Sequence, residues 1–373
     1  MNKGQRKVCL HISANQFDSL DKINFTGNIW KELAKDFDEY HILTRHLRNR
    51  FDLEKRNNIF LHRIPALTRS SVSFIFSSLI IFWLIPKYKV THLLAQSSVL
   101  GGLSAAIASK LFKIPLMTEV HGEEYFTWYE RKDVTGRIIS WISKYSFNNS
   151  TKVRSLNSHM TVQLTKWNIK NIVEIENRVD LNIFNKQKSD YKIGDLVRIV
   201  SIGRFVNKKN YINLIHYLFE SNLNIQLTLI GGGDLIHKYR ETAKKLGKES
   251  SLVLIEWINQ KDMIDYLYYS DIYIQYSVSE GMPRTILEAM AMRLPIISSD
   301  VSFISGTLIN NFNSLLVKVN EPEELYIALD KIINDEVFRS NIGQNAYNDI
   351  LEKYEWNKAF DLYRNELVNM KYR

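Results

Sequence analysis

From Lys7 onward, short runs of adjacent or alternating apolar side chains give way repeatedly to longer stretches in which they recur every three or four positions. The first rhythm is that of strands and the second that of helices. In the amino half, RKVCLHIS, YHILT, IFLHRI, THLLA and PLMTEV read as strands, with helices from Phe25 to Phe37, in 72–85 and over 100–111. A helix at RIISWISKYSF, a strand at TKVRSL and a helix capped by Asn157 and Ser158 follow. The carboxyl half repeats the alternation: strands at LVRIVSIG, QLTLI, LVLI, DIYIQYS and LPIIS are separated by helical patterns, of which ILEAMAM is one. Such alternation predicts parallel sheets with helices on both faces. The segment EIENRVDLNIF separates the halves, so the expected domains are residues 1–185 and 186–355, with 356–373 as a last amphipathic helix.

A length of 373 residues accommodates two domains, and 45% hydrophobic with 24% charged residues is a globular composition. The lone Cys9 excludes an intrachain disulfide and reads as a buried thiol. The amino terminus passes from basic residues straight into a strand, so export is not expected and a reducing, cytoplasmic setting is.

Charge is distributed unevenly. Residues 1–190 hold 28 Lys and Arg against 17 Asp and Glu, whereas the rest hold 21 against 23. The first domain is therefore expected to meet an anionic partner: a membrane surface, a phosphate-bearing substrate or nucleic acid. No zinc-finger, recognition-helix or RNA-binding pattern accompanies the charge, so nucleic acid is not expected. Within 41–70, Arg45, Arg48, Arg50, Lys55, Arg56, Arg63 and Arg69 face only Asp52 and Glu54, and VSFIFSSLIIFWLI follows. That run, Val72 to Ile85, falls short of the roughly 20 residues needed to span a bilayer and reads as a buried or interfacial helix. Peripheral attachment to anionic lipid is one expectation; a packed helix behind a solvated basic loop is the other.

The candidate chemistry concentrates in SVSEGMPRTILEAMAMRLPIISSD, residues 277–300. Strand, loop and helix here form an anion site, because free N–H groups and the positive end of the helix dipole converge. Glu288, two turns beyond Glu280, suits ribose, since a carboxylate accepts from two vicinal hydroxyls. Upstream, GRFVNKK places Arg204 and Lys209 on a loop after a strand, a fork and a point charge for one pyrophosphate. Gly231–Gly233 lack the spacing of a dinucleotide fingerprint. In TEVHGEEY, His121 and Gly122 lie at a strand's carboxyl end, where such sheets place ligands, with Glu123 and Glu124 beside them. Gly27 closes the loop after the first strand. Asp36 and Asp38 form a DxD at a helix end and read as solvated; no cysteine cluster, HExxH or GxSxG is found.

The pair Glu280 and Glu288, set in EGMPRTILEAMAMRLPII, resembles the signature of retaining glycosyltransferases of family 4. The resemblance implies an α/β GT-B fold, two Rossmann-like doubly wound domains facing across a cleft. It spans the second domain almost completely, whereas the first matches in strand order, His121, Gly122 and the hinge. It implies a metal-independent enzyme without a cofactor that moves a hexose or N-acetylhexosamine from a nucleotide diphosphate sugar, expected to be a UDP-sugar, to a saccharide or lipid-linked saccharide. Surface polysaccharides such as capsule, O-antigen or exopolysaccharide are the implied products. His121, Arg204, Lys209 and Glu280 would take catalytic roles, with His121 facing the donor sugar across the cleft and Glu280 holding one of its hydroxyls. Gly27, Gly203, Gly232, Ile258, Gly281, Met282, Pro283 and Glu288 would bind the donor, Ile258 lying where the base is contacted through backbone. Three positions depart from the pattern: one glycine at Gly27 where two are usual, and Arg178 and Ser314 where glycine is usual. A sugar epimerase or phosphorylase on the same scaffold is the nearest alternative, and a silent glycan- or partner-binding subunit is another.

Overall fold

The computed structural model describes residues 6–372 except 18, 21–24, 47–49, 66–72, 122–125, 127–130, 132, 282, 302–303 and 305. The chain divides into two units, Met1–Glu176 with Phe360–Arg373, and Asn177–Ala359. The boundaries predicted from sequence lay nine residues later at the first crossing (185) and four earlier at the second (355). The first shift arises because the segment after Glu176 pairs within the second unit, where Val179 bridges to Glu355.

The first unit is built on β1 (Val8–Gln16), α1 (Phe25–Ala34), β2 (Glu39–His46), β3 (Asp52–Arg56), β4 (Ile59–Pro65), α2 (Phe74–Ser77), α3 (Ile81–Tyr88), β5 (His92–Ala95), α4 (Gly102–Phe112) and β6 (Leu116–Glu119). It continues through α5 (Val134–Asn148), β7 (Lys152–Ser155), α6 (Ser158–Lys166) and β8 (Ile172–Glu174). The sheet order is β3-β4-β2-β1-β5-β6-β7-β8, parallel except where β3 runs antiparallel to β4. Val8, Leu10 and Ile12 on one face of β1 meet Leu93, Ala105 and Leu116 in a core closed by Phe74, Ile81 and Leu84. Full burial of each such side chain stabilises by about 1.5–3 kcal/mol.

Three expectations change here. The stretch 72–85 is not one helix: a 3-10 turn at Ser78–Ile80 separates α2 from α3, and Pro86 sits inside α3. The basic segment 41–70 is not a solvated loop. Arg63 is buried in β4, donating to Asp52 at 2.8 Å and pairing with Glu54 at 3.1 Å, and Arg45 is buried with Nε donating to the Ala14 carbonyl at 2.6 Å. Strand pairing brought those carboxylates against the cations. Arg48 and Arg69 lie outside the described residues. Gly27 does not close a loop; it lies in the first turn of α1, which begins at Phe25.

The second unit contains β9 (Val197–Ile202), α7 (Tyr211–Glu220), β10 (Ile225–Ile230), α8 (Ile236–Lys245), β11 (Leu252–Ile255), α9 (Gln260–Tyr269), β12 (Ile272–Gln275), α10 (Arg284–Ala291), β13 (Ile296–Ser299) and β14 (Leu315–Val317). Helices α11 (Pro322–Asn334) and α12 (Glu336–Asp349) follow, and α13 (Trp356–Val368) carries the chain back into the first unit. The order β11-β10-β9-β12-β13-β14 is all parallel. Successive strands step outward from β9 in one direction and from β12 in the other, so the topological switch lies between β9 and β12. Ligands of such sheets bind outside the carboxyl ends of the strands at that crevice. The hinge Arg178, buried where a glycine is usual, lies 5.6 Å over the Trp356 ring within this unit, so Trp356 is an anchor here; Phe360, Tyr363 and Leu367 of α13 are the residues buried in the first unit. Among the described residues no helix is long and apolar enough to cross a membrane.

Candidate active site

At the β9–β12 crevice the two flanking loops are tied together. The Val278 N–H donates to the Lys208 carbonyl at 3.0 Å, and Lys209 Nζ donates to Glu280 Oε1 at 2.5 Å. Lys209 ends a 3-10 turn, Asn207–Lys209, and its stem crosses directly over Gly203: a Cβ there would lie 2.7 Å from Lys209 Cε. Glycine at 203 is thus what lets the ammonium reach the carboxylate.

The loop itself is anchored from below. Phe205 is fully buried in edge-on contact with Tyr211 and Tyr239, at centroid distances of 6.0 and 5.3 Å. Aromatic pairs in this geometry contribute about 0.5–1.5 kcal/mol beyond their burial. With Phe205 held inward, the preceding Arg204 is turned out and exposed, and its side chain has no partner among the described residues. Fork and point charge therefore differ: Lys209 is engaged and Arg204 is open.

Glu280 is buried and oriented by a chain of polar side chains that the sequence did not single out. The Tyr273 hydroxyl donates to Gln275 Oε1 at 2.8 Å, fixing that amide so that its Nε2 donates to Ser277 Oγ at 2.7 Å and Glu280 Oε1 at 2.9 Å. Both bonds to Glu280 fall on Oε1, and Oε2 has no partner among the described residues. The signal was a glutamine at a core-facing end of β12, where an unpaired amide would cost about 1–3 kcal/mol.

Glu288 is also buried, on α10, accepting from Gln260 Nε2 at 3.0 Å through Oε1, while Oε2 is buried without a partner among the described residues. Burial raises its pKa, opposed by Arg284 on the same helix and by the Gln260 bond. A buried carboxylate oxygen left unbonded is a stability cost that a ligand hydroxyl would relieve. The Tyr273 hydroxyl also lies 2.8 Å from Thr285 Oγ1; burial first, then Tyr211, and after them Glu288 and Glu280, hold its pKa well above the phenol range.

Gly231 and Gly232 follow β10. A Cβ on Gly231 would lie 1.9 Å from the Gly203 carbonyl oxygen, so that position is demanded by the neighbouring loop. A Cβ on Gly232 would lie 2.9 Å from Trp257 Cδ1, which brings Gly232 together with the Trp257–Ile258 turn after β11. The exposed Trp257 is a further candidate, and Ile258 is half-buried. Pro283 caps α10, Gly281 is half-buried in the loop before it, and Met282 lies outside the described residues.

In the first unit, His121 follows β6, half-exposed, with Nε2 2.8 Å from Glu119 Oε2. Glu119 is 2% exposed, and its Oε1 accepts from Arg154 Nη1 and from the Tyr363 hydroxyl, each at 2.5 Å. Burial alone would raise its pKa, yet His121 and Arg154 outweigh that and hold it well below the carboxylate range. Gly122, Glu123 and Glu124 lie outside the described residues. At this unit's own switch, between β1 and β5, Ser13 Oγ donates to Gln96 Oε1 at 2.5 Å and Asn15 Nδ2 reaches the same oxygen at 3.3 Å. The DxD is structural: Asp36 accepts from Arg364 at 2.5 and 2.9 Å, and Asp38 from the Lys7 N–H at 2.7 Å.

Residues 183–349 match the family model described as Glycosyl transferases group 1. An uncharacterized glycosyltransferase of Methanocaldococcus jannaschii is 27% identical over 347 residues, covering 89% of this chain and 90% of the relative. A UDP-Gal:alpha-D-GlcNAc-diphosphoundecaprenol alpha-1,3-galactosyltransferase of Escherichia coli is 27% identical over 304 residues, 76% of each chain. Among solved structures, sucrose-phosphate synthase from Thermosynechococcus elongatus superposes with a TM-score of 0.82 at 17% identity, over 97% of this chain and 99% of that one. The fold is GT-B, with two parallel-sheet α/β units, and the likeness to glycosyl transferases of group 1 is carried by residues 183–349 and by these relatives.

Proposed function

We propose that this chain, whose residues 183–349 match the group 1 glycosyl transferase model, transfers a hexose or N-acetylhexosamine from a UDP-sugar to a hydroxyl of a lipid-linked saccharide, with retention and without a metal. The observation that carries the reading is the Lys209–Glu280 pair set across the β9–β12 switch with Arg204 open beside it. The Escherichia coli relative, named for a UDP-Gal donor and a diphosphoundecaprenol acceptor, supports the choice of donor and carrier.

In this reading the bond from the anomeric carbon to the diphosphate oxygen breaks and its electron pair leaves with the diphosphate. The acceptor oxygen bonds to the same face of that carbon, and the hydroxyl proton passes to the departing diphosphate. Arg204, Lys209 and the backbone N–H groups of Gly281 and Met282 offset the charge that builds there, the largest demand of the reaction. Pro283 offers no N–H. Glu280 accepts from a donor-sugar hydroxyl through Oε2, Glu288 accepts from ribose, and the Trp257–Ile258 turn borders the base. The roles of His121 toward the sugar and of Gly27 rest on the family resemblance alone. The setting is cytoplasmic, at the inner face of the membrane.

Incubation with radiolabelled UDP-sugars and an undecaprenyl-diphosphate saccharide should move label into the lipid fraction; label recovered only as sugar phosphate or as an epimerised nucleotide would overturn the reading. Transfer should continue in excess EDTA, because the two cations occupy the place of a divalent ion. Loss on chelation with recovery on adding manganese or magnesium would refute that part.

Glu288→Gln should weaken UDP-sugar binding by about 1.5–3 kcal/mol, the worth of a hydrogen bond to a charged acceptor, while the ligand-free protein becomes no less stable. As pH falls toward the raised pKa of Glu288, this group should add stability to the ligand-free fold, since protonation suits its burial, and donor affinity should fall. Calorimetry across that range checks both; an unchanged affinity in the variant removes Glu288 from the ribose.

A further inference from the structure

The amino ends of three neighbouring strands of the first unit line a cavity. Lys7 leads into β1, Thr91 into β5 and Pro115 into β6, and the segment that follows α13 lines the cavity beside them. Its volume is 850 Å³, and all of its lining residues belong to this unit. His121 and Gln96 lie at the opposite edge of the sheet, following the carboxyl ends of β6 and β5. The candidate active site therefore does not account for this cavity.

Arg6, Lys7, Lys113 and Lys371 line it, and among the described residues no aspartate or glutamate does. The fold accounts for part of that charge. Arg6 pairs with Glu39, Asp38 accepts from the Lys7 backbone N–H, Asp36 is taken up by Arg364, and the carboxyl ends of α4 and α13 carry about half a negative charge each. The side chains of Lys7, Lys113 and Lys371 are left with no hydrogen bond or ion pair among the described residues. One of them stands there at a conformational cost: Lys113 caps α4 at a φ of 53°, a left-handed position that glycine usually takes. Cations from three separate parts of the chain thus converge on one concave surface, which focuses their field on an anion.

The remaining walls define the rest of the ligand. Ile114 and Met370 are buried apolar lining, and the Tyr372 ring is 40% exposed. A volume of 850 Å³ lies toward the upper end of the range for small-molecule sites, roughly 300–1,000 Å³. A bare phosphate would leave the apolar wall unmet, so the occupant has an organic part as well as several negative charges. We propose that the cavity binds an organic polyphosphate of nucleotide size, its phosphates held by Lys7, Lys113 and Lys371 and its organic part set against Ile114, Met370 and Tyr372. The site is built onto the last helix. Buried His92 has Nε2 3.2 Å from the carbonyl of Val368, the last residue of α13, and Nδ1 2.8 Å from Thr91 Oγ1, which accepts from the Val8 N–H at 2.8 Å. A polyphosphate bridging Lys371 to Lys7 and Lys113 extends this tie and fastens the end of α13 to β1 and α4. Because Tyr363 and Arg364 of α13 hold Glu119 and Asp36, occupancy stabilises the contacts that complete the first unit. The inference does not rest on sugar transfer.

Inorganic triphosphate, ATP and UTP titrated calorimetrically into the full chain test this. Lys113→Gln with Lys371→Gln should weaken binding at the cavity by about a hundredfold, at roughly tenfold for each charge-assisted bond lost. Circular dichroism and ligand-free melting should match the parent, which separates loss of binding from loss of fold. Both nucleotides should bind the cavity more tightly than inorganic triphosphate, by a margin that Tyr372→Ser reduces. ATP should also raise the melting temperature and slow amide exchange over residues 369–372 in the parent and not in the double variant. Where the β9–β12 crevice takes nucleotide as well, the parent shows two sites and the double variant one; where the crevice takes none, the parent shows one and the double variant none. Binding with the same number of sites and the same affinities in parent and double variant, or no binding by either, would overturn the proposal. So would capture of polyglutamate by a chain with no affinity for triphosphate. Equal affinity for inorganic triphosphate and the two nucleotides would overturn the assignment of an organic part.

Discussion

Lys209→Ala is expected to lower the rate of sugar transfer roughly 10²- to 10³-fold, the loss typical of removing one charge-stabilising donor from a reacting centre. The substitution acts twice. It withdraws a cation from the departing diphosphate, and it leaves the buried Glu280 carboxylate with Gln275 Nε2 as its remaining partner among the described residues, so a negative charge stands uncompensated where negative charge must build. The side chains are 14% and 9% exposed, so solvent screens the pair weakly. Pairing Lys209→Ala with Glu280→Gln should restore melting temperature without restoring the rate. Single-turnover kinetics on the two single variants and the double variant separate these contributions, and a kcat within a few-fold of the parent for Lys209→Ala would remove the lysine from the chemistry.

Glu119→Gln should destabilise the first unit by about 3–5 kcal/mol, the range for breaking a buried ion pair from one side. Arg154 is 3% exposed, and its Nη1 would face a neutral amide that cannot satisfy it together with His121 and the Tyr363 hydroxyl. The pH dependence follows from the direction of the shift. With its folded pKa held well below the carboxylate range, Glu119 contributes stability that is fully present above the unfolded value and is lost as pH falls through the folded one. Urea unfolding followed by tryptophan fluorescence should show the parent losing stability in acid and the variant losing less. A change under about 1 kcal/mol at neutral pH would mean that the cluster carries little of the unit's stability.

The strand and helix alternation was legible because apolar period and element type coincide wherever a strand is buried on both faces, as β9 and β12 are. The antiparallel β3 escaped because LEK in DLEKR carries its one leucine on the exposed side. The break in 72–85 escaped for the opposite reason: an almost unbroken apolar run has no period from which a 3-10 turn can be read. At the crevice, Lys209 and Glu280 were legible as charged residues on loops after strands, but not as partners, since 71 positions separate them and only the sheet order β9-β12 makes their loops neighbours. Gln275 and Gln260 were illegible for a related reason. An amide becomes a functional residue through the carboxylate it orients, and that contact is tertiary.

Tyr363 and Arg364 belong to the first unit although they are joined to the chain after the whole of the second. The second unit, Asn177–Ala359, is one uninterrupted length inserted into the first. On the ribosome, then, the segment made second has all its parts before the segment made first does. Until Tyr363 emerges, the buried carboxylate of Glu119 lacks one of its donors and Asp36 lacks its guanidinium. The usual amino-to-carboxyl order of domain completion is therefore reversed here. A nascent chain released at residue 359 would carry a finished second unit tethered to an unfinished first one.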